Sequence, residues 1–153
     1  MKAIGSILLH DGQLLERALA YASFWMYRCL TDHSCSDSLP SSETLWPSLP
    51  KRVVDVAGFD QGRVKLVEGN GMRSPYGALS YRWRENGVRT TESSLSAFHT
   101  EIPLNLLQSQ IYDAFLIANR LGIRYVWVDA LVSNPNENPL INAVLISPVH
   151  SPK

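Results

Sequence analysis

The sequence predicts an α/β domain built on a mostly parallel sheet with flanking helices. Three observations point there. Apolar residues recur at three- and four-residue steps from about Asn105 to Leu121, a β-branched and aromatic run from Ile123 to Leu131 comes after one glycine, and a second such run, Tyr76 to Trp83, lies upstream. Strand, connection with a helix, glycine, strand is a βαβ unit. Its two strands are expected to be parallel, because a long crossover returns the chain to the sheet end where the first strand began.

In chain order, the first element is a helix from about Gln13 to Leu30. Leu14, Ala18, Tyr21 with Ala22, Trp25 and Cys29 trace one face, with Asp11 as N-cap. The polar face is weakly basic, so the apolar stripe is expected to pack on a core rather than lie on a membrane surface. Residues 32–50 are rich in Ser, Asp and Pro. Pro40, Pro47 and Pro50 lack the amide hydrogen that a helix or central strand uses, so the segment reads as a mobile linker.

Three short strands are expected at Arg52–Val56, Arg63–Glu68 and Tyr76–Trp83, the first two half-buried because charge alternates with apolar residues. In the next helix Leu104, Leu107, Ile111, Ala114 with Phe115, Ala118 and Leu121 share a face. Asn105 with Gln108 supplies its capping pair, and Gly122 its left-handed close. After the strand at Ile123–Leu131 come a turn-rich break, residues 133–139, and an apolar run, Leu140–Ile146, that could form a last strand. The expected organisation is an N-terminal helix (1–31), the linker (32–50), the α/β domain (51–132) and a divergent tail (133–153).

The 153 residues carry 14 basic and 14 acidic side chains and 45% hydrophobic residues, enough for one self-supporting core. Zero net charge argues against nucleic acid, which needs a basic surface, and the local cluster Arg82, Arg84 and Arg89 is interrupted by Glu85. The most apolar window, Leu14–Leu30, contains Glu16, Arg17 and Arg28, so no membrane span is expected. His10 and Asp11 end the N-terminal apolar patch before a signal core forms. Cys29 and Cys35 make no disulfide framework and fit a reduced, cytoplasmic setting. With His33 they offer three soft ligands where structural zinc wants four, so no metal is expected. No Gly-rich phosphate loop, Gly-x-Ser-x-Gly or His-Glu-x-x-His pattern is present, and no cofactor is expected.

Pro75-Tyr-Gly-Ala-Leu-Ser-Tyr-Arg-Trp83, Ile111-Tyr-Asp-Ala-Phe115 and Leu121-Gly-Ile-Arg-Tyr-Val-Trp-Val-Asp129 resemble, in order, the signature blocks of the fungal heterokaryon incompatibility (HET) domain. Upstream, Cys29, His33 and Cys35 resemble the short Cys/His stretch often found before that domain. Leu49-Pro-Lys-Arg-Val-Val-Asp55 resembles its first strand and Val64–Glu68 the next, so the resemblance spans roughly residues 25 to 131. Arg82 and Arg84 stand where the family has a cysteine and a glycine, and Leu107-Gln-Ser-Gln110 lacks the proline that usually opens the helix. After Asp129 the family's strand end and acidic, Trp-containing helix have no counterpart, so the chain resembles the front part of the domain, truncated or divergent beyond that residue. The resemblance implies an effector of fungal non-self recognition and programmed cell death, acting through a protein partner or self-association. It also implies a distant relation to TIR domains and, by analogy, a nucleotide (NAD-type) hydrolase as the alternative, while Arg82, Arg84 and the missing final helix favour a third reading, an inactive degenerate fragment.

Asp129 falls at the C-terminal end of a buried strand, where ligands of parallel sheets bind; it is a candidate catalytic carboxylate or a turn cap. Glu85 is the second catalytic candidate. Tyr81 and Trp83 are expected to share a strand face with Leu79, as a stacking wall or as core, with Ser80 and Arg82 on the other. Arg82 and Arg84 could receive a phosphate or acidic partner, or form a solvated strand end. Tyr76, Asp113, Gly122 and Trp127 complete the motif positions, with Asp113 expected to diverge from the core face of its helix.

Overall fold

The computed structural model describes residues 12–32, 46–82 and 87–133. Arg52–Asp55 (β1) and Lys65–Glu68 (β2) pair antiparallel, Val53 opposite Val67 and Val54 opposite Leu66. Their connection, residues 56–64, is closed by a 3-10 turn at Phe59–Gln61 and is too short for a crossover, so an antiparallel pair is the only solution. Tyr76–Ala78 (β3) and Tyr125–Trp127 (β4) pair parallel, Gly77 opposite Val126, as the βαβ reading requires. β4 also pairs antiparallel with β1, which gives the strand order β2-β1-β4-β3.

The sheet is therefore mixed, not mostly parallel: of its three pairings only β3 with β4 is parallel. A short turn set the direction of β2, and the antiparallel docking of β1 on β4 is a long-range choice that no local pattern encodes. β3 and β4 are also shorter than expected. Leu79 N–H continues the ladder to the Trp127 carbonyl at 3.0 Å, but β4 then turns at Asp129 into a single helical turn, Asp129–Val132, and β3 loses its neighbour.

The crossover carries two helices instead of one. Residues Glu92–Thr100, to which the sequence assigned no element, form a helix that starts at a reciprocal cap: Thr91 Oγ1 accepts from Ser94 N–H at 3.2 Å and Ser94 Oγ from Thr91 N–H at 2.9 Å. Serine in place of the usual Glu or Gln disguised this cap, and the Ser-rich run reads as a loop because Ser is a modest helix former. The second crossover helix runs Ser109–Arg120, later than expected. Leu104–Leu106 forms a separate 3-10 turn, Leu107 and Gln108 are extended, and Gln108 is the N-cap without a side-chain bond, so the Asn105–Gln108 capping pair does not form. Leu104 and Leu107 reach the core all the same, and their three-residue step imitates a helix. Numbered in chain order, with Gly12–Asp32 as α1, these helices are α2 (Glu92–Thr100), α3 (Ser109–Arg120) and α4 (Asp129–Val132).

Gly122 closes α3 as expected. At φ +73° it occupies the left-handed region, its N–H bonds the Asn119 carbonyl, and Ile123 N–H reaches back to Ala118 at 2.8 Å, the reciprocal pattern of a Schellman close.

One sheet face, with Val54, Leu66 and Val126, packs on Phe98, Ile111 and Phe115 of α2 and α3. On the other face Leu49, Val53 and Tyr125 form a smaller cluster with Tyr76 and Trp127. The end of the expected linker is built into this layer: Leu49 N–H bonds the Met72 carbonyl at 2.7 Å, and Arg73 Nη1 donates to the Trp46 carbonyl at 3.1 Å.

The stripe of α1 expected to meet a core is instead largely exposed, with Tyr21 at 64% and Trp25 at 73%, whereas Leu19 is buried. Leu15, Leu19, Phe24, Met26 and Tyr27 spread apolar surface around the helix, so period alone did not select the face that is buried. Asp11, its expected N-cap, and the expected strand Leu140–Ile146 lie outside the described residues. Among the described residues no helix is long and apolar enough to cross a membrane.

Candidate functional site

β3 and β4 end together, and the segments that leave them meet at one end of the sheet. Past β3, Leu79 and Tyr81 pack against the main core while Ser80 and Arg82 are exposed, the alternation expected of an extended segment. Past β4, fully buried Val128 leads to Asp129, which opens α4. The Asp129 carboxylate accepts the Ala130 N–H at 2.7 Å, a bond to the next residue, while the N-cap of α4 is Val128 and makes no side-chain cap bond.

α4 has a second anchor. Thr90, 1% exposed, donates its N–H to the Ala130 carbonyl at 2.9 Å and its hydroxyl to the Leu131 carbonyl. Both carbonyls belong to a turn too short to satisfy them internally, and Thr90 supplies the missing donors. Sequence reasoning missed this residue. The available signal was the Thr90-Thr91 pair, of which Thr91 caps α2 and Thr90 faces back to α4.

Tyr81 is half-buried. Burial is the main reason its hydroxyl pKa is raised, the Asp129 charge raises it further, and Arg89 opposes them. Tyr81, Asp129 and Arg89 therefore share one electrostatic neighbourhood, with the phenol protonated at neutral pH. That leaves a neutral hydroxyl beside a carboxylate, with exposed Arg82 on the same segment, at the C-terminal end of a parallel strand pair where ligands and partners of such sheets bind.

The other expected residues are distributed differently. Trp83, Arg84 and Glu85 lie outside the described residues, as do His33 and Cys35 of the Cys/His triplet. Trp127, at the end of β4, is half-buried and touches both core clusters. Tyr76 lies at the opposite end of β3, paired with Tyr125 in the smaller cluster. Gly122 is likewise at the far end of β4. Asp113 is half-buried on α3, and its neighbour Tyr112 packs edge-to-face on Phe59 with ring centroids 5.1 Å apart.

At that far end a second carboxylate is engaged in structure. Asp55 closes β1 with its side chain only 9% exposed. Arg124 Nη2 donates to its Oδ2 at 2.8 Å and Arg124 Nε at 3.2 Å, while Ala57 N–H donates to Oδ1 at 3.0 Å. Burial alone would raise the Asp55 pKa, but the hydrogen bonds from Arg124 and Ala57 and the charges of Arg124 and Lys65 outweigh it and hold it below its ordinary value. Asn119 Nδ2 ties α3 to the same corner through the Val56 carbonyl at 3.1 Å.

Residues 76–139 match the family model described as heterokaryon incompatibility protein (HET). The match begins at β3 and runs through α2, α3, β4 and α4, so it contains Tyr81, Thr90 and Asp129 and extends beyond Asp129 to Pro139, while the upstream likenesses at 25–75 fall outside it. No curated protein and no solved structure matches the chain.

Proposed function

We propose, for a chain whose residues 76–139 match the heterokaryon incompatibility family, that it is an effector module of fungal non-self recognition that works by docking a protein partner at the Tyr81–Asp129 end of its sheet. The single observation that carries this reading is the coincidence of the family match with the βαβ unit that forms this end. The surface suits docking. Tyr81 and Asp129 offer a hydrogen-bond donor and an acceptor held at half-burial, Thr90 fixes the turn that bears Asp129, and Ser80 and Arg82 stand exposed beside them. Arg82 occupies a position where the resembling family has a small cysteine, which favours a partner with acidic groups.

The test is induced expression of the full chain in a filamentous fungus. Growth arrest that is lost with Arg82→Glu, at unchanged protein level and melting temperature, is the expected result. Expression without any growth defect identifies the inactive-fragment reading instead. The neighbourhood of the Asp129 carboxylate and the Tyr81 hydroxyl also supports the nucleotide-hydrolase reading. Nicotinamide release from NAD by the purified chain, lost with Asp129→Ala, would replace docking with that chemistry.

A further inference from the structure

Away from the Tyr81–Asp129 end, the corner between β1, β2 and α2 frames an open pocket of about 250 Å³ lined by Asp55, Gly58 and the exposed Arg63, Lys65, Thr100 and Glu101 among others. Its walls carry charge of both signs. The Asp55 carboxylate is engaged by Arg124 and the Ala57 N–H and feels the charge of Lys65, its partner in the β1–β2 pairing; Arg63 and Lys65 line the β2 side of the pocket and Glu101, just past α2, lines another wall. Among the described residues no ion pair joins Glu101 to Arg63 or Lys65, although all three line the same pocket. Arg63 uses one guanidinium nitrogen on the Gln61 side chain at 2.7 Å and keeps its other N–H groups available.

The backbone holds this arrangement open. The turn between β1 and β2 folds back on itself through Arg63 N–H to the Gly58 carbonyl at 3.0 Å, and a Cβ on Gly58 would meet the Arg63 carbonyl oxygen at 2.7 Å. On the opposite wall, Ile102 N–H bonds the Val64 carbonyl at 2.8 Å, which fixes Glu101 beside the start of β2.

We propose that this pocket binds a small zwitterion of the α-amino acid class. Arg63 and Lys65 receive the carboxylate, Glu101 receives the ammonium, and the Thr100 hydroxyl adds a neutral contact. A simple anion fits less well because Glu101 repels it, and a simple cation is repelled by Arg63 and Lys65. The volume suits a ligand of amino-acid size.

The experiment is an NMR titration of the full-length chain with each of the twenty L-amino acids, and separately with acetate and with ethylammonium. Saturable shifts of the Gly58, Lys65 and Glu101 amides with at least one amino acid, and far weaker ones with acetate or ethylammonium, are the expected result. Glu101→Gln should weaken that amino acid by about tenfold while leaving acetate unchanged or tighter, and Lys65→Gln should weaken both, by amounts typical of a lost charge-assisted hydrogen bond. Both positions are exposed, so folding should be retained, with the amide spectrum of each variant as the check. The proposal is overturned if no amino acid gives saturable shifts at tens of millimolar, if acetate binds as tightly as the best amino acid, or if Glu101→Gln leaves amino-acid binding unchanged.

Discussion

Asp55 and Asp129 each stand at the end of a buried strand segment, yet the two ends of the sheet use them differently. At the β1 end the carboxylate is closed down by a two-point arginine contact and a backbone N–H, and its position is held from both sides. At the β3–β4 end the carboxylate stands on the first residue of one helical turn, accepts the Ala130 N–H and sits half-buried near the Tyr81 hydroxyl, with Arg82 exposed one residue beyond that tyrosine. The same residue type serves cohesion at one end and, in the proposed reading, a docking surface at the other. Partners from the surrounding chain decide which: Arg124 and the Ala57 N–H close on Asp55, whereas Asp129 shares its neighbourhood with the Tyr81 hydroxyl and Arg89.

Substitutions sharpen the contrast, and the largest effect is expected at the cohesive end. Arg124→Ala leaves Asp55 buried with one backbone donor and should cost about 2 kcal/mol in urea unfolding; Arg124 is itself 58% exposed, which keeps the loss below that of a fully buried pair. A loss under a few tenths of a kcal/mol would show that the pair is ornamental.

The pH dependence has its origin in the same pair. The Asp55 pKa is lowered on folding, so its contribution is fully present above the ordinary carboxylate value of 3.8 and is lost as pH falls through the lowered folded value. The chain should therefore lose stability on acidification below that ordinary value, and Arg124→Ala should flatten that limb. Parallel acid-unfolding curves of the two proteins would contradict it.

Next in size is Thr90→Val, which removes the hydroxyl donor from the Leu131 carbonyl in a buried place and should cost about 1–2 kcal/mol in the same assay. Asp129→Asn keeps an acceptor for the Ala130 N–H and should cost well under about 1 kcal/mol, while the Tyr81 phenol titrates closer to its ordinary value, read by ultraviolet absorbance against pH. The smallest change belongs to Arg82→Glu. As an exposed side chain it should alter stability by no more than about 0.5 kcal/mol and serves as the clean probe of the docking surface. If Asp129→Asn proves costlier than Arg124→Ala, the assignment of cohesion to one end and presentation to the other is reversed.

Part of this was legible in the chain. Charge interleaved with apolar residues in Arg52–Val56 and Arg63–Glu68 marked β1 and β2, although β1 is buried along its whole length rather than half-buried, and Gly122 with the β-branched run after it marked the return strand. The strand-end position of Asp129 marked the candidate site, and the structure brings Tyr81 into its neighbourhood. Thr90 escaped because its meaning depends on α4, which lies about forty residues away in the chain, and α2 escaped because a serine cap looks like a loop. Arg124 gave no signal either. Its partner is 69 residues distant, and a single arginine at a strand start announces nothing until β1 lies beside β4.

Local physics settled what local residues can settle: the period of α3, the left-handed close at Gly122, and the parallel β3–β4 pair that a helical crossover obliges. Only the tertiary structure decided that β1 docks antiparallel on β4, that Leu19 rather than the aromatic stripe of α1 is buried, and that Arg124 closes on Asp55. The reason is that each of those outcomes compares burial and pairing energies between segments far apart in the chain, and period, propensity and capping are blind to that comparison.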